Sequence, residues 1–208
     1  MNGVLVSSAI ILVLNTGVLM SKQFIDDIQP VDVNALAFAP EETDWSSVQN
    51  MVKNHEGKRL DVYADTKGLA TVGYGHLVNP GDSLAIGDRI TQEHADSLFT
   101  VDWDHHYDSA RGLLDDGVFD SMPHNQQAAL IDLTYNMGPG KLKSEFPSML
   151  KGFNTGDYQS AADNLQWVDP SDQSKGRSGY WTDVGDRSSR IHNLILGNTS
   201  VDEINAGY

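Results

Sequence analysis

Apolar positions recur at helical spacing, then at strand spacing, in the stretch from Trp45 to Leu77. Val48, Met51, Val52 and His55 share one face of a helix over Trp45–His55, with Asp44 as its N-cap and Gly57 as its C′ residue. Two strand patterns follow, Arg59–Ala64 and Leu69–Gly75. Asp65-Thr66-Lys67-Gly68 joins them, with Asp first and Gly fourth as a type I turn prefers. Alternation puts Thr71, Gly73 and Gly75 on one face of the second strand and Val72 and Tyr74 on the other. Pro80-Gly81 marks a turn, and Ser83–Ile90 reads as a short third strand or a loop.

The rest of the pattern is helical. Thr91 caps a long helix over Gln92–Leu114 whose buried stripe is Ala95, Leu98, Phe99, Trp103, Tyr107 and Ala110. Asn125–Met137 reads as the central buried helix, stopped by Gly138-Pro139-Gly140. A short helix over Glu145–Phe153 precedes one over Tyr158–Val168, which Asp157 caps and which packs through Ala161, Ala162, Leu165 and Trp167. Asp169–Asp183 reads as a loop, and Val184–Leu196 as a closing helix stopped by Gly197. Helices thus dominate and one small β lobe precedes them, which is an α+β class. The chain has 208 residues, enough for one domain of ordinary size, here 45–208, plus extras.

Those extras lie at the N-terminus. Val4–Met20 carries no charge but includes Ser7, Ser8, Asn15, Thr16 and Gly17. As a helix it would span about 25 Å, marginal for a hydrocarbon core of about 30 Å. Residues 1–21 therefore read as a secretory signal peptide, a weak signal-anchor that slips out of the membrane, a stable anchor, or a buried core helix. No Lys or Arg precedes the run, Lys22 lies beyond it, and the Ala-x-Ala matches at Ala35–Ala39 are distant for a cleavage site. Residues 22–44 are aperiodic and acidic, with Pro30 and Pro40, and read as a linker.

Charge and composition exclude some classes. The net charge of −15 argues against a nucleic-acid partner, which needs clustered Lys and Arg. The chain has no Cys, so no disulfide framework and no thiolate chemistry. Adjacent His105 and His106 point about 100° apart on a helix, so they read as a solvated pair, and no metal or cofactor is expected. Trp103, Trp167 and Trp181 can stack on a ligand or simply pack in the core.

The candidate chemistry sits in the first stretch. Glu56 occupies the last helical turn, where the negative end of the dipole and any burial favour its protonated form, as a general acid requires. Asp65 in the turn and Thr71 on the strand can share a cleft with it. One acid would then protonate a leaving oxygen while the other carboxylate activates water across a sugar ring. On spacing alone, Glu56 and Asp65 read as well as a solvated helix end and a turn former.

Spacing and flanks together carry more. The segment HEGKRLDVYADTKGLATVGYGH, His55–His76, resembles the active-site region of the phage-type lysozymes, glycoside hydrolase family 24: Glu, eight residues, Asp, five residues, Thr, then Gly-x-Gly-His. The resemblance continues through Ala128–Gly138, Phe146–Leu150, Ser160–Trp167 and Asp186–Ile191, and covers about Trp45 to Gly197. It implies a lysozyme-like fold, mainly helical, with a small β-hairpin lobe joined by a long helix to a helical lobe. It implies a muramidase of a phage, with Glu56 as acid, Asp65 positioning water and Thr71 hydrogen-bonding that water, inverting at the anomeric carbon. Leu77, Tyr135, Ser148 (or Met149, one residue on) and Asn164 fall where the family lines its saccharide groove. Arg187 falls where it has an arginine near the catalytic glutamate, which would orient Glu56 and lower its pKa. His76 reads as a structural histidine paired with an acid of the other lobe. The implied partner is peptidoglycan, with a membrane engaged through residues 4–20, and the implied state a monomer. The location is the host inner membrane or periplasm, or a virion. Peptidoglycan is anionic too, so an enzyme of this charge is expected to work at high ionic strength, where the Debye length shrinks to about 3 Å. A lytic transglycosylase and an inactive wall-binding descendant are the rival readings.

Overall fold

The computed structural model describes residues 43–208, of which Asp44–Tyr208 form a compact unit. The expectations for residues 1–21, and for the linker up to residue 42, lie outside the described residues.

Helix α1 runs Ser46–Glu56 and buries Val48, Met51 and Val52. It starts one residue later than the pattern suggests: Trp45 is the N-cap, and the Asp44 carboxylate accepts from Ser46 N at 2.9 Å. Gly57, at φ 68°, donates its N–H to Lys53 O and ends the helix, so Glu56 is its last residue. Strand β1 (Arg59–Ala64) pairs antiparallel with β2 (Ala70–Gly73) across the expected turn, where Gly68 N donates to Asp65 O.

The second strand is shorter than its alternation suggested. Gly73 and Gly75 take φ values of 67° and 90°, and the chain reverses at Tyr74-Gly75 into β3, His76–Leu77. Glycine is needed there because those backbone angles exclude side chains. The lobe is therefore a three-stranded sheet in the order β1-β2-β3 rather than a hairpin, and Gly75 lies on a turn, not on a strand face. Ser83–Ile90 is a loop whose end pairs with the free edge of β1, through a bridge between Asp61 and Arg89 and a bond from Ile90 N to Leu60 O.

Helix α2 (Gln92–Arg111) starts at Thr91, whose hydroxyl accepts from His94 N. It serves two cores. Ala95 packs with Val62, Val72 and Ile90 under the sheet, while Phe99, Trp103 and Ala110 join the large helical core. A short α3 (Val118–Ser121) leads to α4 (His124–Glu145), in which every residue from Gln126 to Thr134 is buried. Gly138 breaks it, as expected, at φ 74° and ψ 155°, but the chain resumes as helix from Pro139. Then come α5 (Pro147–Thr155) and α6 (Tyr158–Gln166), the latter capped by Asp157 and buried through Ala161, Ala162 and Leu165, with Trp167 half-buried beyond its end.

The region read as a loop holds a helix, α7 (Gly179–Asp183), capped by the Ser178 hydroxyl. The closing helix α8 spans Asp186–Leu196, and a further helix, α9 (Val201–Asn205), packs against α1, where Asn205 Nδ2 donates to Ser47 O at 2.9 Å. Among the described residues no helix is long and apolar enough to cross a membrane.

Helices α5 and α6 meet at Gly152. A Cβ there would stand 2.7 Å from Ala161 N and 2.9 Å from its Cα, and backbone cannot move aside cheaply. Gly152→Ala is expected to destabilise the domain by about 2 kcal/mol, read as a drop in the denaturant midpoint at unchanged slope; an unchanged midpoint would show that the two helices separate freely.

Candidate active site

Glu56 closes α1 with its carboxyl against α8 and the β2–β3 turn. Its Oε1 lies 2.8 Å from Arg187 Nη2, and a Cβ on Gly75 would come within 3.6 Å of its Oε2. The Glu56 side chain keeps 18% of its surface exposed. Arg187, from the first turn of α8, is 8% exposed and does not serve Glu56 alone. Its Nε donates to Asp132 Oδ2 and its Nη2 to Asp132 Oδ1, both at 3.0 Å. Asp132 lies mid-way along α4 and is wholly buried. His55 Nδ1 meets Asp132 Oδ1 at 2.7 Å, so two neighbouring residues of α1 flank one buried carboxylate–guanidinium pair.

Burial is the largest influence on Glu56 and raises its pKa; Arg187 pulls it down and the Asp132 charge pushes it up, for a net rise. The expected Arg187 effect is present, but desolvation outweighs it. Asp132 is shifted the other way: burial works against its charge, and the attraction of Arg187 and the His55 bond overcome that.

Asp65 and Thr71 are joined through Leu69. Asp65 Oδ1 accepts from Lys67 N and Leu69 N at 2.8 Å each, and the Thr71 hydroxyl donates to Leu69 O at 3.2 Å. Asp65 Oδ2 has no partner among the described residues. Thr71 pairs across the sheet with Leu77, which is 47% exposed on that face. It lies two residues before Gly73, about 7 Å along β2 from the turn beside Glu56. No hydrogen bond or ion pair joins Glu56 to Asp65 or Thr71 among the described residues.

Ser148 and Asn164 line one cavity of about 390 Å³, with Trp167 and Val168 at its wall. Ser148 is exposed while Met149 is core, so of the two registers Ser148 is the one facing solvent. Tyr135 is half-buried: its ring packs against Phe99 and His106, and its hydroxyl is buried without a partner among the described residues. His106 is consequently half-buried against Tyr135 and its pKa is lowered by burial, so the pair at 105–106 is not solvated throughout. Trp167 and Trp181 share Arg177, which stacks on the former at 3.7 Å. Among the described residues no cluster of three or more His, Asp or Glu is placed to hold a metal.

His76 has the two-sided partnership of a structural histidine. Its Nδ1 meets Asp102 of α2 at 2.9 Å and its Nε2 meets Asp82 at 3.1 Å. Burial alone would lower its pKa, but the hydrogen bonds to both acids outweigh burial and raise it. The sequence reading missed Asp132. Its signal was a lone acid inside the apolar run AALIDLTY, which can be buried only if paired.

A small antiparallel sheet and a helical lobe joined by one long helix, with a largely buried carboxyl near the β2–β3 turn, define a lysozyme-like α+β fold. Residues 53–179 match the family of phage lysozymes, which is more than half of the chain, and the chain belongs to that family. It is similar to an endolysin of Acyrthosiphon pisum secondary endosymbiont phage 1, 34% identical over 118 residues that cover 56% of this chain and 74% of the relative. It is also similar to an endolysin of Salmonella phage P22, 36% identical over 115 residues, 54% and 73% of the two chains. A SAR-endolysin of Bacteriophage PS119 is 27% identical over 111 residues, 53% of this chain and 61% of the relative.

Two stability effects follow from the shifted groups. The raised pKa of His76 means that its ion pairs stabilise the fold fully below the unfolded histidine pKa and cease to do so as pH rises through the folded value. Asp102→Asn should therefore cost about 2 kcal/mol at pH 5 and much less above pH 8, compared by thermal melts at both values. Glu56 has the opposite sense: its raised pKa means that its ionised form burdens the fold as pH rises through the folded value. Glu56→Gln should melt higher than wild type at pH 7, with the gain vanishing below pH 4; a lower melting point at pH 7 would contradict a net desolvated acid.

Proposed function

We propose that the protein is a phage peptidoglycan hydrolase, an N-acetylmuramidase that cleaves the β-1,4 bond between N-acetylmuramic acid and N-acetylglucosamine. The single observation that carries this is Glu56: a carboxyl of raised pKa, held by Arg187 and still 18% exposed beside the β2–β3 turn. Such a group keeps its proton towards neutral pH and gives it to a leaving glycosidic oxygen. Asp65, with one carboxylate oxygen fixed by two backbone N–H groups and the other unpartnered, orients the attacking water, and Thr71 holds that water through its hydroxyl. Direct attack by water gives inversion at the anomeric carbon and leaves no sugar on the enzyme. Leu77, Ser148 and Asn164 contact the glycan strand, and Tyr135 backs the groove from within.

The domain 45–208 is the catalytic unit of this reading, working as a monomer. The uncharged run Val4–Met20, together with the likeness to a SAR-endolysin, supports delivery to the host inner membrane and periplasm by a signal or signal-anchor, with 22–44 as the linker.

Clearing of exposed Gram-negative walls by the wild type, and its loss by a factor of about 10³ or more in Glu56→Gln, is the expected outcome. Mass spectrometry of the products should show reducing muramic acid ends. Anhydro ends, lighter by one water, would assign a lytic transglycosylase instead. Appreciable lysis by Glu56→Gln would remove the acid, and a glycosyl adduct on Asp65 would remove inversion.

A further inference from the structure

We infer that Asp132 is a positioning residue for Glu56: by holding the Arg187 fork on its own carboxylate, it limits how much of that positive charge reaches the acid. The inference rests on the reading of Glu56 given above.

The geometry is uneven in a telling way. Asp132 receives two charge-assisted bonds from Arg187 and one contact from His55, all at 3.0 Å or less. Glu56 receives one contact, at 2.8 Å, without the alignment of a hydrogen bond. A guanidinium binds a carboxylate best through two parallel N–H groups, and Arg187 spends its Nε and Nη2 on Asp132. Asp132 is wholly buried and has no solvent to replace these donors, so it holds them firmly. Arg187 is left for Glu56 as a side-on charge.

The groups around this pair are few. From α1 come His55 and Glu56; from α8, Arg187; from α7, Tyr180; from α4 itself, Tyr135; and from the C-terminal segment, Tyr208, whose ring stands edge-on to His55 at 5.8 Å. The hydroxyls of Tyr135 and Tyr180 are buried without partners, and burial pushes both phenols far up, so neither supplies a charge. His55 Nε2 is also buried and unpartnered. Among the described residues, Asp132 is therefore the one charged group that holds Arg187 away from Glu56.

Without the Asp132 charge, Arg187 would be balanced by Glu56 alone. Glu56 would ionise more readily, and the acid would lose its proton earlier as pH rises. The test is Asp132→Asn, with the Glu56 carboxyl followed by ¹³C NMR, assigned by its absence in Glu56→Gln, and wall lysis followed in parallel. The Glu56 titration should move down by about one pH unit or more. The alkaline limb of kcat/KM should move down with it, with kcat falling at neutral pH and KM little changed. The NMR titration needs no activity, so a wild type that fails to lyse walls would defeat the muramidase reading and still leave this inference tested. Asp132→Ser, which removes the charge and leaves room for water against Arg187, reads the same shift if Asp132→Asn does not fold. An unmoved Glu56 titration in a folded variant would overturn the inference. So would the failure of both variants to fold, which would assign Asp132 to stability alone.

Discussion

One guanidinium between two carboxylates governs the site. Arg187 cannot give up its proton, so its pocket must contain negative charge to be populated at all. Two acids face it, and the pocket resolves the excess by environment. Asp132 is drier but richly hydrogen-bonded, and stays ionised. Glu56 keeps slightly more exposure, at 18% of its side chain, but has a single poorly aligned contact, and it is the one whose pKa is raised. Burial depth alone would have assigned the proton to Asp132; the count of donors reverses that order.

The three elements that meet there are separated by dozens of residues, and this explains what could be read from the sequence. Local features were legible. The helix ending at Gly57, the Asp65–Gly68 turn, the Thr91 and Asp157 caps and the Gly197 stop all rest on contacts within a few residues. Glu56, Asp65 and Thr71 were legible as a spaced set because one helix, one turn and one strand carry them consecutively. Gly75 was misread because glycine fits a period-two pattern and a tight reversal equally, and only β3 pairing back on β2 decides between them.

Asp132 and His55 were not legible as partners for a different reason. His55 stood on an apolar helix face and Asp132 in an apolar run, and each signal said only that a partner must exist. The partner of each lies across the fold, 77 residues away in sequence. The surroundings of Tyr135 were hidden for a related reason: its half-buried ring packs on Phe99 and His106, which α2 brings from another part of the chain.

The same long helix explains how the sheet is kept in register with the acid. Its first turns pack under β2, where Ala95 Cβ sits 3.6 Å from the point a Gly73 side chain would occupy, and its middle holds His76 through Asp102. His76 directly follows Gly75, the residue beside the Glu56 carboxyl. The sheet edge is thus fixed to α2 by an ion pair one residue away from the acid, while the acid is fixed to α8 and α4 by Arg187. An acid catalyst needs its proton within hydrogen-bond reach of the scissile oxygen, and small displacements degrade that. Because Asp65 and Thr71 ride on the sheet and Glu56 on α1, their mutual placement depends on these two polar anchors and, among the described residues, on no hydrogen bond or ion pair between the three side chains. Under the proposed muramidase reaction that separation sets the stereochemical course, so these anchors constrain the proposed chemistry as much as the groups proposed to touch the sugar.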